Sequence, residues 1–143
     1  MNYSIGEVSD MTGIPISTLR YYDKEGMFPN ILRSSGGIRI FTEDEINIIG
    51  VIECLKATGM HIKEIKEFLF WCQEGDVSLH KRCKLFYNRL EEVEKQLRKL
   101  DQVYHSLKFK CWYYDKAVAA GTENAVKNLP DSEIPADLRK YKI

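Results

Sequence analysis

The side chains with the widest chemistry are four cysteines, Cys54, Cys72, Cys83 and Cys111, and three histidines, His61, His80 and His105. A thiolate is a nucleophile and a soft metal ligand, and an imidazole is a base or a borderline ligand. Their spacing supports little of that chemistry. No two cysteines form a C-x-x-C pair, and the histidines fall on separate segments, so no tetrahedral metal set is written into the chain. No glycine-rich phosphate loop, Ser-His-Asp set or paired-carboxylate cleft stands out either. The expectation is therefore no catalytic residue, no metal, no cofactor and no enzyme. A second group is more suggestive. Ser17-Thr18-Leu19-Arg20-Tyr21-Tyr22-Asp23-Lys24 concentrates hydroxyls, phenols and cations, and Arg33 and Arg39 flank Gly36-Gly37. Such groups reach base edges and phosphates. The plainer alternatives are a solvated helix face for Arg20 and Lys24, and a core position for Tyr21 or Tyr22.

These residues need elements to position them. Ser4 and Glu7 make a capping box, with Ile5, Val8 and Met11 on one helical face and Gly13 as the stop. A second helix runs from about Ile16 to Glu25 and closes at Gly26, so the pair is a helix-turn-helix candidate. Pro29, Ser34, Ser35, Gly36 and Gly37 then break the helical pattern, and Ile38-Arg39-Ile40-Phe41 favours a strand. That segment predicts a small β-wing with one arginine on each arm. Thr42 and Glu45 form a second capping box for a helix to about Thr58, and another helix spans roughly Ile62 to Cys72. From Leu79 onward Cys83, Phe86, Leu90, Val93, Leu97, Leu100, Tyr104, Leu107 and Cys111 alternate four and three apart for more than four heptads. This is a coiled-coil seam, and a stripe that narrow calls for a partner helix from a second copy or for folding back on its own chain. Gly121 ends the helical run, and Leu129 to Ile143, with Pro130 and Pro135, reads as a loosely docked tail.

Composition sets the limits. The 143 residues are 44% hydrophobic and 29% charged, as expected of a folded chain. Met1-Asn2-Tyr3-Ser4 shows neither the basic nor the apolar stretch expected of a secretory leader, and no run of eighteen apolar residues occurs. The expected setting is cytoplasmic, with no membrane partner and with reduced thiols. The 21 basic residues equal the 21 acidic ones, so net charge lends no support to nucleic-acid binding. Position must carry that reading.

Tyr3-Ser4-Ile5-Gly6-Glu7-Val8, Thr12-Gly13-Ile14 and Thr18-Leu19-Arg20-Tyr21-Tyr22-Asp23 resemble the opening of a MerR-family regulator. The pattern Arg33-x-x-x-Gly37-x-Arg39-x-Phe41 resembles that family's wing, and the likeness extends from Tyr3 to about Leu107. Three departures occur: Pro15 at the entry to the second helix, Met27 after the glycine, and Phe41 in place of a wing tyrosine. The resemblance implies a mainly α protein with a winged helix-turn-helix DNA-binding domain over 1–75. A dimerisation helix over 76–116, antiparallel to its copy, and a tail over 117–143 complete the expected organisation. It further implies a homodimer on a palindromic operator in double-stranded promoter DNA, bending and untwisting it for RNA polymerase. Thr18, Arg20 and Tyr21 would enter the major groove. Ser17, Tyr22, Lys24, Arg33, Gly37, Arg39 and Phe41 complete the expected contacts, with Lys63 as a second-wing contact.

The family divides by effector. Its metal sensors place one cysteine at the start of the long helix and a close pair past its end, whereas here Cys83 lies in the seam and Cys111 stands alone. A drug-sensing form needs a further domain, and about thirty residues follow Cys111. Ile46 to Gly59, with Cys54, and Gln73-Glu74-Gly75-Asp76 resemble the aldehyde- and nitrosothiol-responsive branch. Gly50, Ala57 and Thr58 are small neighbours of Cys54 that leave room for an electrophile. A helix C-terminus gives no help to a thiolate, so activation calls for His61, Lys56 or the other subunit. The alternative is a small buried hydrophobe. Cys72 reads as core beside Trp71, and Cys83 and Cys111 read as seam packing. A metal-responsive regulator using Cys83 and Cys111 stays open, as do a coiled-coil adaptor without DNA binding and a constitutive DNA-bending protein.

Overall fold

The computed structural model describes residues 1–142 and contains two compact units, Met1–Arg89 and Leu90–Ile143. In the first, α1 (Ile5–Thr12) begins where the Ser4 hydroxyl accepts from the Glu7 amide at 3.2 Å and the Glu7 carboxylate accepts from the Ser4 amide at 2.7 Å. This exchange satisfies amides that a helix start leaves unpaired. Helix α2 (Ile16–Lys24) follows Pro15, which offers no side-chain cap. Strands β1 (Leu32–Arg33) and β2 (Arg39–Ile40) pair antiparallel, Leu32 opposite Ile40 and Arg33 opposite Arg39. Gly37, at φ 79°, supplies the left-handed residue that their tight reversal needs. The expected wing is present.

Helix α3 (Glu43–Ala57) starts at the expected second capping box, where Glu45 Oε2 accepts from the Thr42 amide at 2.8 Å and its hydroxyl at 2.6 Å. Helix α4 (Ile62–Gln73) leads through a 3₁₀ turn, Gly75–Ser78, into the 42-residue α5 (Leu79–Ala120). At that junction the buried Ser78 hydroxyl donates to the Trp71 carbonyl, and Arg82 donates to Ser78 Oγ at 3.0 Å and to the Gly75 carbonyl at 2.9 Å. Val8, Leu19, Tyr22, Met27, Phe28, Phe41, Ile49, Ile52, Leu55 and Ile65 fill the core between these elements. Phe68 of α4 meets Phe86 of α5 edge-on at 5.4 Å. Each fully buried side chain of this size contributes about 1.5–3 kcal/mol.

The second unit carries the rest of α5, which ends at Gly121 (φ 75°), and then α6 (Asn124–Lys127) and 3₁₀ turns at Asp131–Glu133 and Arg139–Tyr141. Here one expectation is corrected. The C-terminal segment is packed, because Ile134 and Leu138 are buried with Phe109 against Trp112, Tyr113 and Tyr141. Arg139 donates to the Ile134 carbonyl at 3.0 Å, and Tyr141 stacks on His105 at 5.0 Å. The aromatic group of α5 supplies the apolar surface that this segment needs. By contrast Leu90, Leu97, Leu100, Val103 and Leu107 are exposed along α5. Among the described residues, no helix is long and apolar enough to cross a membrane.

Candidate nucleic-acid interface

Helix α2 has two faces. Leu19 and Tyr22, three residues apart, are buried, while Arg20, Tyr21 and Lys24 turn to solvent, with Tyr21 45% exposed. Helical period alone produces this division. The wing lies beside the outer face because one carboxylate holds it there. Asp23 Oδ2 accepts from Arg33 Nη2 at 2.7 Å and from Arg39 Nε at 2.6 Å, and the Asp23 side chain is only 8% exposed. Arg33 also donates to the Gly37 carbonyl at 3.2 Å, across the turn of its own hairpin. Charge-assisted bonds of this length are the stronger class, and two on one acceptor fix both guanidinium groups.

The result is an open recess of about 550 Å³ lined by Ser17, Arg20, Tyr21, Asp23, Lys24, Arg33 and Arg39. Six of these seven were expected from sequence to touch DNA. Thr18 is half-buried and does not line the recess, Gly37 shapes the turn, and Lys63 is exposed in the first turn of α4. Four cations around one acid, with a phenol and a hydroxyl among them, can hold phosphate oxygens and present donors to a base edge.

Two expected contacts face the other way. Phe41 is fully buried, bridged through its backbone to Tyr3 and packed edge-on against Phe28 at 5.5 Å. It stands just before the α3 N-cap, a position where an apolar side chain fixes the chain's entry into the helix. Tyr22 is 1% exposed, and its hydroxyl donates to Glu53 Oε1 at 2.6 Å while accepting from Lys56 Nζ at 2.8 Å. Both rings are core. The sequence reading missed the roles of Asp23 and Glu53, and it weighed Lys56 as a cation for Cys54 and not as a partner of Tyr22. An acid in the midst of a basic, hydroxyl-rich stretch was the available signal for Asp23; Glu53 and Lys56 gave none.

Cys54 lies exposed on α3, not buried as a small hydrophobe. Cys72, expected in the core, is exposed, and Cys83 and Cys111 are exposed within this chain. Of the cations considered for Cys54, Lys56 is engaged by Tyr22 and lies 3.5 Å from Glu53, and His61 caps α4 with its amide donating to Glu64 at 3.2 Å. Among the described residues, no three His, Cys, Asp or Glu side chains gather closely enough to hold a metal.

Residues 3–69 match the family described as MerR HTH family regulatory protein. An uncharacterized HTH-type transcriptional regulator of Haemophilus influenzae is 38% identical over 130 residues, covering 91% of this chain and 96% of the relative. The uncharacterized HTH-type transcriptional regulator YyaN of Bacillus subtilis is 31% identical over 137 residues, 85% of this chain and 97% of its own. The solved structure of HiNmlR, a MerR-family regulator lacking the sensor domain and bound to promoter DNA, superposes with a TM-score of 0.82 at 38% identity. It covers 94% of this chain and 100% of that one. On the recess, the wing and these likenesses, the chain belongs to the MerR family of helix-turn-helix transcriptional regulators.

Proposed function

We propose that two copies of this chain bind a palindromic operator in double-stranded promoter DNA and switch transcription by RNA polymerase through bending and untwisting it. The observation that carries the reading is the recess in which Arg20, Lys24, Arg33 and Arg39 converge around Asp23. HiNmlR, similar along its whole length, is a regulator solved on promoter DNA. In this reading Thr18, Arg20 and Tyr21 enter the major groove, Ser17, Lys24, Arg33 and Arg39 hold flanking phosphates around the Gly37 turn, and Lys63 adds a contact outside the recess. The exposed leucines of α5 support pairing with an antiparallel copy. The proposed parts are the DNA-binding domain over 1–75, the dimerisation helix over 76–116 and the C-terminal segment over 117–143.

The effector is proposed to be an electrophile, such as an aldehyde or nitrosothiol, sensed at the exposed Cys54 thiol. Footprinting and in vitro transcription on DNA upstream of the chain's own gene test both parts. Wild type is expected to protect a palindrome, and Arg33→Ala with Arg39→Ala to lose that protection. Cys54→Ser is expected to keep protection but lose the response to the electrophile. Equal responses of wild type and Cys54→Ser would exclude Cys54 as the sensor. Absence of protection by wild type at low salt would exclude the DNA-binding reading, and with dimerisation intact would favour a coiled-coil adaptor.

A further inference from the structure

Between α2, the recognition helix of the proposed reading, and α3 lies a polar cluster outside the recess. The Tyr22 hydroxyl donates to Glu53 Oε1 at 2.6 Å and accepts from Lys56 Nζ at 2.8 Å, and Lys56 lies 3.5 Å from Glu53. The same ammonium sits 5.5 Å from the centre of the Tyr22 ring. Each group therefore holds the other two. The ring itself is fully committed, 1% exposed and packed edge-on against Phe28 at 6.4 Å. Burial, then the bond to Glu53, pushes the Tyr22 phenol up, so the hydroxyl stays protonated and donating through the neutral range. The bond to Tyr22 pushes the Lys56 ammonium up, so its charge is retained.

Tyr22 is flanked in sequence by Tyr21 and Asp23, which line the recess. A helix is stiff over so short a span, so whatever fixes Tyr22 fixes the direction in which its neighbours project. The apolar contacts of Leu19 and Tyr22 oppose separation of α2 from α3, but dispersion is non-directional and tolerates a small roll or slide. Hydrogen bonds do not, because they weaken steeply off axis. We propose that Glu53 and Lys56 are positioning residues for operator recognition: by clamping the Tyr22 hydroxyl they set the roll of the recognition helix, so that sequence discrimination depends on three side chains that never touch DNA.

This inference rests on the DNA-binding reading above. Its test measures the affinity of the reduced, full-length dimer for an operator selected from random DNA, and for an unselected duplex of equal length, at one salt concentration. Tyr22→Phe keeps the ring and removes both bonds; with each bond contributing modestly, the operator-to-random ratio is expected to fall about fivefold to tenfold. Affinity for the random duplex and its salt slope are expected to be unchanged, since the phosphate contacts remain. Glu53→Ala removes one of the two bonds and should produce part of the same loss, about twofold to fivefold, without adding to that of Tyr22→Phe, while Glu53→Gln, whose amide oxygen still accepts, should restore most of the ratio. If Tyr22→Phe unfolds the domain, Glu53→Ala alone decides the matter, because Glu53 is partly exposed and outside the core. A ratio unchanged in Glu53→Ala, or operator and random affinities falling together, would overturn the proposal while leaving DNA binding standing. A wild type that selects no operator overturns both.

Discussion

The two compact units solve the problem of apolar surface in different ways. In Met1–Arg89 the core is closed by residues of the same unit: Leu19 and Tyr22 from α2, Phe41 from the strand edge, and Ile49, Ile52 and Leu55 from α3 meet one another. In Leu90–Ile143 the buried cluster among the described residues is Phe109, Ile134 and Leu138, and the leucine stripe of α5 stays open, Leu100 being 65% exposed. A domain that buries its own surface has a stability independent of concentration. A stripe that waits for a second helix does not. On the function proposed above, the difference would separate the part that recognises from the part that assembles, so that a variant could damage one while sparing the other.

Phe41→Ala is the sharpest way to break the first unit. Loss of a fully buried ring next to Phe28 is expected to cost about 4 kcal/mol, read as a lower urea midpoint for that unit at every protein concentration. Next comes Leu97→Asp with Leu100→Asp in the open stripe. Sedimentation is expected to give a monomer, and operator affinity is expected to fall about 100-fold, roughly 2.7 kcal/mol, with the first unit still folded. Unaltered sedimentation would remove the contrast between the units. Ile134→Ala tests the small cluster of the second unit and should cost about 2 kcal/mol, seen as faster amide exchange in α6 and the turns that follow.

The smallest effect lies at the start of α1. The backbone bond from Ser4, and then the Ser4 hydroxyl, hold the Glu7 carboxyl below its usual range. A depressed folded value means stabilisation that is present above the ordinary carboxylate range and lost as pH falls through the folded value. Glu7→Gln is therefore expected to lower stability slightly in the neutral region and to leave it almost unchanged at acid pH, where the wild-type carboxyl is protonated too, so that the acid limb of the stability curve flattens.

Much of the first unit was legible because its signals are local. Ser4 with Glu7, and Thr42 with Glu45, announce helix starts three residues apart, and Gly13 and Gly26 announce stops. Arg33 and Arg39 were placed on the wing from the turn chemistry between them. What escaped depends on contacts between distant residues. Asp23 meets arginines ten and sixteen positions away, and Tyr22 meets Glu53 and Lys56 across more than thirty. The inward turn of Tyr22 was half visible, since Leu19 three residues earlier marks the buried face. The family pattern points Phe41 toward DNA, whereas its place before a capping box favours the burial that is observed. The C-terminal segment was misjudged because Ile134 and Leu138 are too sparse to show a period, while the aromatic surface that receives them lies earlier in the chain.

The shared carboxylate of Asp23 has a consequence for how a polyanion meets this surface. Beyond a Debye length, Arg33, Arg39 and Asp23 act as a single positive charge, and the whole chain, with 21 basic and 21 acidic residues, is neutral. With Arg20 and Lys24 in the same recess, Asp23 trims four positive charges to three, which lowers the long-range attraction of a polyanion without abolishing it. At contact range the balance changes: two guanidinium groups are already aimed, so little rotamer freedom remains to be lost, and a phosphate need only displace one acceptor. On the function proposed above, such a surface would add fit at the last few ångströms to attraction from afar.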